Sequence, residues 1–129
     1  EILFGISVQH EAGIILSVPC CQKEINRQIT SEDLSILTRY GIVKERMSAL
    51  ITDAVRANVL EYCGYKTQLL EFVDFASSPK NILIRAVKRN GSEARREKAR
   101  QEIEKVLREF RIQQTLATMI LKGESREYD

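Results

Sequence analysis

Residues 64–89, GYKTQLLEFVDFASSPKNILIRAVKR, hold two β-rich runs separated by a short segment of turn-forming residues. Val, Ile, Leu, Phe and Tyr dominate 65–75 and 81–87, whereas Ala76, Ser77, Ser78, Pro79 and Lys80 supply the small side chains and the fixed proline φ of a connection. The stretch predicts a hairpin with Pro79 in its loop, because proline removes a ladder donor. The second run is apolar at Ile82, Leu83, Ile84, Ala86 and Val87 with little alternation, the pattern of a strand buried on both faces. Such a strand needs a neighbour on each side, so a further strand must come from elsewhere in the chain.

Upstream of the hairpin, Val43, Met47, Leu50, Ile51, Ala54, Ala57 and Leu60 recur at three- and four-residue intervals and predict a long amphipathic helix over 42–63, stopped by Gly64. Downstream, Asn90 and Gly91 mark a turn, and Ser92 is placed to cap a charged helix beginning at about Glu93. Ile103, Val106, Leu107 and Phe110 form its apolar face, with Glu97/Arg100, Gln101/Lys105 and Glu104/Arg108 as side-chain pairs on the exposed side. Gln113 and Gln114 interrupt the stripe, which resumes at Leu116, Met119, Ile120 and Leu121.

A further strand reads near the start of the chain. Ile14, Ile15, Leu16, Ser17 and Val18 follow a turn at Glu11, Ala12 and Gly13, and Pro19 ends the run. Residues 21–29 open a helix; Thr30, Ser31, Glu32 and Asp33 then offer capping groups ahead of Leu34, Ile36 and Leu37. Residues 1–6 read as the last turn of a helix, and with Glu1 in place of a methionine the chain is expected to be a piece of something longer.

At 129 residues, with 43% hydrophobic and 29% charged residues, the chain has the size and make-up of one soluble domain. No apolar run approaches the roughly 20 residues of a membrane span. A net charge of +2 gives no argument for nucleic acid. The three cysteines are an odd count, two of them adjacent, which fits a reduced, cytoplasmic protein better than a disulfide framework. Cys20 and Cys21 cannot reproduce the spacing of a zinc knuckle, and His10 is the sole histidine, so neither a metal site nor a nucleophile–base pair is expected. Cys20 and Cys21 do stand where a strand ends, the edge at which open α/β sheets bind ligands. Lys80 and Asn81 could donate to a ligand from the hairpin loop, although both are also ordinary solvated turn residues. Arg46, Asp53 and Arg56 lie at helical spacing, where Asp53 reaches Arg56 in a local ion pair.

The strand IILSVPCCQKEIN, the helix RYGIVKERMSALITDAVRANVLEYCGY and the hairpin EFVDFASSPKNILIRAVKR, taken in that order, resemble the C-terminal half of a bacterial class I S-adenosylmethionine-dependent methyltransferase. The subgroup is one with a proline-cysteine-cysteine pattern after strand five. The resemblance covers most of residues 1–89 and departs from the family pattern at Lys23, where histidine stands, and at Ser78, where threonine stands. It implies an α/β fold: a partial Rossmann-like sheet of strands equivalent to five, seven and six, the seventh antiparallel, with flanking helices. Residues 1–89 would form the half-domain, and 90–129 a charged, amphipathic helical extension.

The resemblance further implies a parent protein that transfers a methyl group from S-adenosylmethionine. Pro19, Cys20, Cys21, Ser78, Pro79, Lys80 and Asn81 would line the substrate side. No catalytic base is identified, and the methyl acceptor is left open among RNA, protein and small molecules. The glycine-rich loop and the acidic residue that hold the cofactor in such enzymes are missing from the chain, so no cofactor is expected on it alone. With strand four missing, the edge of strand five favours a homo-oligomer. One rival reading is a non-catalytic interaction or regulatory module that recruits a partner through the C-terminal helix. Another is RNA binding through Arg95, Arg96, Lys98, Arg100, Lys105 and Arg108, but Glu93, Glu97, Glu102, Glu104 and Glu109 interleave with them and cancel the field.

Overall fold

The computed structural model describes residues 13–17, 23–74, 78–89, 91–112 and 117. Strand β1 (Ile14–Ser17) is followed by helices α1 (Lys23–Gln28), α2 (Ser35–Thr38) and α3 (Gly41–Tyr62). The hairpin strands β2 (Tyr65–Asp74) and β3 (Ser78–Lys88) come next, and α4 (Glu93–Glu109) completes the series. The fold is mixed α/β, with the strands in the order β1-β3-β2 and β3 antiparallel to both neighbours. Ile15 faces Ala86 across one ladder, and Thr67 faces Ala86 across the other. The expected helix end at 1–6 and the renewed pattern at Leu116, Met119, Ile120 and Leu121 lie outside the described residues.

The hairpin connection is shorter than its composition predicts. Pro79 belongs to β3 and not to the loop, and the register explains how a strand accepts it. Phe72 pairs with Asn81 and Asp74 with Ser78, so Val73 stands opposite two residues, Pro79 and Lys80. A bulge of this kind is one of the few places in a sheet where a missing N–H costs no ladder bond.

One face of the sheet carries the core. Ile15, Ile84, Ala86 and Tyr65 from the strands meet Val55, Val59 and Leu60 of α3 and Ile103 of α4. A second cluster joins Ile25 and Ile29 to Ile112, flanked by Met47, Leu107 and Phe110. The expectation that β3 is buried on both faces is therefore corrected: it is flanked on both edges but covered on one face. Arg85 is exposed, Leu83 and Val87 are half-buried, and Ile14 and Leu16 of the adjoining strand are each 62% exposed.

Helix α3 has the expected length but not the expected inner face. Ala57 and Leu60 are buried as predicted, whereas Leu50 is 60% exposed and Val43 and Ala54 also face solvent. The buried row instead runs through Ser48, Thr52, Val55 and Val59, five residues on from Val43, Met47, Leu50 and Ala54, a net rotation of about 140°. Asp53 and Arg56 lie beside that row, also buried. The β-branched pair Val55 and Val59 meets the sheet, while the first half of the helix packs on α1 through the predicted Met47 and Ile51, half-buried against the Ile25 and Ile29 cluster, with Ser48 beside Asn26.

Gly64 ends α3 with a φ of +93°, which an L side chain adopts only with strain. Its N–H donates to Glu61 O, and its carbonyl accepts from Arg89 N at 2.8 Å, so one residue closes the helix and anchors the end of β3. Ser92 caps α4 as expected, its side chain accepting from Arg95 N at 3.4 Å. The hydrogen-bonded surface pairs on α4 are Arg100 with Glu104 at 3.2 Å and Gln101 with Glu97 at 3.4 Å, and the charge of Glu97 also acts on Arg100, as the spacing suggested. The hydrogen bond that Arg100 donates to Glu104 holds its guanidinium above the ordinary pKa.

Candidate functional site

Because β3 runs against both neighbours, β1 and β2 end at the same end of the sheet, where β3 begins. Ser17 is opposite Ile84, and Ser78, Pro79, Lys80 and Asn81 are the first four residues of β3, farther toward that end. The stretch leaving β1 carries Pro19, Cys20 and Cys21, which lie outside the described residues. The chain returns as α1 at Lys23, and of the candidate residues Ser78, Pro79, Lys80 and Asn81 are the ones the structure places at this rim, at the start of β3.

What supports the rim is visible. Ile25 of α1 is fully buried against α3, and Ser48 Oγ lies 3.3 Å from Asn26 Oδ1. The Ser48 hydroxyl donates to Lys44 O at 2.6 Å, and Thr52 Oγ1 donates to Ser48 O at 2.7 Å. Both hydroxyls are thus turned back onto their own helix, which lets polar residues sit in an inner face without an unmet hydrogen bond. Among the described residues, no buried polar side-chain atom lacks a partner.

One turn farther along α3, Arg56 Nη1 and Asp53 Oδ1 stand 3.5 Å apart, with side-chain exposures of 6% and 3%. The i,i+3 spacing predicted this ion pair but not its burial; Arg46, named with it, is exposed. Two opposite charges in contact neutralise one another and hold the helix in register, and neither is placed as a proton donor to a reacting group. No cluster of three His, Cys, Asp or Glu side chains capable of holding a metal occurs among the described residues.

The opposite end of the sheet is closed by aromatic and cationic contacts. The Arg96 guanidinium lies 4.5 Å from the Tyr62 ring centroid and donates to its hydroxyl at 3.0 Å, while Lys88 Nζ is 4.9 Å from the Tyr65 ring. Glu61 Oε1 accepts from both the N–H and the hydroxyl of Thr67 at 2.8 Å. Half-buried Cys63 sits here at the end of α3, away from the rim.

A cleft of about 610 Å³ lies between the segment before α2 and the last turn of α4, lined by Ser31, Glu32, Asp33, Lys105, Arg108 and Arg111 among others. Its charges meet across it: Arg111 donates to Glu32 at 3.2 Å and Ser31 to Glu109 at 3.4 Å. An open cleft of mixed, paired charge is a seam between elements, stitched further by Thr30 N donating to Phe110 O at 3.1 Å. Among the described residues no helix is long and apolar enough to cross a membrane. Comparison of the chain with protein-family models, curated proteins and solved structures finds no match.

Proposed function

We propose that the chain is the substrate-side half of an S-adenosylmethionine-dependent methyltransferase domain. The observation that carries the reading is the strand order. A strand–helix–strand unit whose strands point the same way ordinarily pairs those strands directly. Here β1 and β2 are kept apart by β3, the strand that follows them in sequence and runs against both. That is the arrangement of strands five, seven and six implied by the resemblance of IILSVPCCQKEIN and EFVDFASSPKNILIRAVKR.

On this reading, Pro19, Cys20 and Cys21 after β1, and Ser78, Pro79, Lys80 and Asn81 at the start of β3, face the methyl acceptor. Their work is positioning, since transfer from a sulfonium needs the acceptor atom aligned with the methyl group more than it needs a strong base. The cofactor would supply the methyl group and would be held by a glycine-rich loop beyond residues 1–129. The rival reading, recruitment of a partner by α4, is weakened by burial: Ala99 and Ile103 face the chain's own core, and Val106 and Leu107 pack beside them.

Calorimetry tests the proposal in two steps. The chain of residues 1–129 gives no heat with S-adenosylmethionine at micromolar concentration, whereas a longer product of the same reading frame carrying a glycine-rich loop binds it one to one. Lys80→Ala with Asn81→Ala in that product lowers methyl transfer while leaving cofactor binding intact. A longer product that carries the loop and binds no S-adenosylmethionine refutes the reading.

A further inference from the structure

We infer that the face of the sheet left uncovered by the described residues receives an amphipathic α-helix of about three turns, acidic along the flank that meets Lys66 and the guanidinium of Arg85. This rests on burial and charge, and does not depend on methyl transfer.

The ladders fix which side chains share the face. Ile14, Val87 and Lys66 form one row across the three strands, Leu16, Arg85 and Gln68 the next, and Leu83 with Leu70 a third. Ile14 and Leu16 are each 62% exposed and Leu70 is 42% exposed, while Leu83 and Val87 are half-buried. A solvated face of an antiparallel sheet normally alternates to polar residues, so five apolar side chains in adjoining positions are a surface made to be covered.

Their layout is a band. It runs from Ile14, Leu16 and Val87 at one corner to Leu83 and Leu70 at the diagonal corner. With strands about 4.8 Å apart and about 3.3 Å of rise per residue, the band is about 16 Å long. A helix rising 1.5 Å per residue covers that length in about 11 residues.

Charge identifies the occupant. Lys66 lies beside the band, Arg85 stands within it with its guanidinium turned to Gln68 on the Lys66 side, and Arg89, just past β3, is exposed as well. Arg85 donates to Gln68 Oε1 at 3.0 Å, a neutral acceptor. No described side chain on this face is acidic. A second copy packed face to face would set Lys66 and Arg85 against their own images, which disfavours a symmetric pair on this surface. Nucleic acid draws its affinity from many phosphate contacts, and the described cations on this face are Lys66, Arg85 and Arg89 alone. An anionic membrane surface is read by clusters of roughly four to eight cations, more than this face holds.

The test uses two synthetic helical peptides of roughly 12 residues, each with leucines at i, i+3, i+4 and i+7, one bordered by glutamates and the other by lysines. Each is titrated into the isotope-labelled chain. Amide shifts are expected to cluster on Ile14, Leu16, Leu70, Leu83 and Val87, with the glutamate peptide binding about tenfold or more tightly. Lys66→Glu with Arg85→Glu should reverse the preference. Both positions are exposed, and should the variant misfold, the two peptides compared on the unaltered chain still decide. Equal binding of both peptides, no binding, or shifts elsewhere overturns the inference. Self-association that protects Leu70, Leu83 and Val87, away from the β1 edge, or protection of these amides by phosphatidylserine vesicles, overturns it too.

Discussion

Removing one partner of the Asp53–Arg56 pair should cost far more than removing both. The charges stand 3.5 Å apart with side-chain exposures of 3% and 6%, so solvent screens them little. At that distance and an effective dielectric of about 20, their attraction is about 5 kcal/mol, a gain that the desolvation of both ions largely offsets. Asp53→Asn leaves the Arg56 cation buried beside a neutral amide, and Arg56→Met leaves the Asp53 carboxylate without its guanidinium. Each should destabilise the fold by about 3–5 kcal/mol. In urea, with a slope of about 1.5 kcal/mol per molar, that moves the unfolding midpoint down by about 2–3 M. Asp53→Leu combined with Arg56→Met removes both charges together and should cost less than either single variant. Urea unfolding followed by far-ultraviolet circular dichroism on the parent, the two single variants and the double variant reads the result directly. Single losses below about 1 kcal/mol, or a double loss equal to the sum of the singles, would refute the reasoning.

Other outcomes follow from local geometry. Gly64→Ala should lower stability by about 1–2 kcal/mol in thermal unfolding, because φ is +93° and the new Cβ would meet Arg89 O at 3.4 Å. Arg111 also has a positive φ, 51°, so Arg111→Gly should relieve up to about 1 kcal/mol there, less the small exposed contact with Glu32, and raise the melting temperature. Ser92→Ala removes the cap on α4 and should cost about 1 kcal/mol, with faster amide exchange confined to the first turn of the helix. Light scattering at micromolar concentration should detect a dimer formed edge to edge through β1, since among the described residues β1 pairs on one side only; a strict monomer would exclude it.

The turns and caps were legible in the sequence because they depend on few neighbours. Gly64 had to end a helix, Ser92 had to begin one, and the two runs around Ala76 had to pair. The strand order was reachable only through the family resemblance, since nothing in the residues of β1 says which later strand it joins. The inner face of α3 was misread because apolar spacing assumes that burial follows hydropathy. In α3 Ser48 and Thr52 go inward by bonding to their own backbone, and Leu50 is left outside. Similarly, the unbroken apolar run of β3 reads the same whether a strand is covered on two faces or merely flanked on two edges. At the rim, Lys80 and Asn81 were noticed as loop residues, and the bulge that makes them strand residues left no mark in the sequence beyond Pro79.

The position of β3 between its neighbours also sets an order of events during synthesis. Ile14 pairs with Val87, so β1 leaves the ribosome about 70 residues before the strand it must join. At roughly 5–20 residues per second that is a wait of several seconds, during which α3 and then the hairpin can form from contacts close in sequence. β1 can therefore dock only once β3 has been made, onto the edge that the hairpin builds, and Ile15 reaches the core at that step.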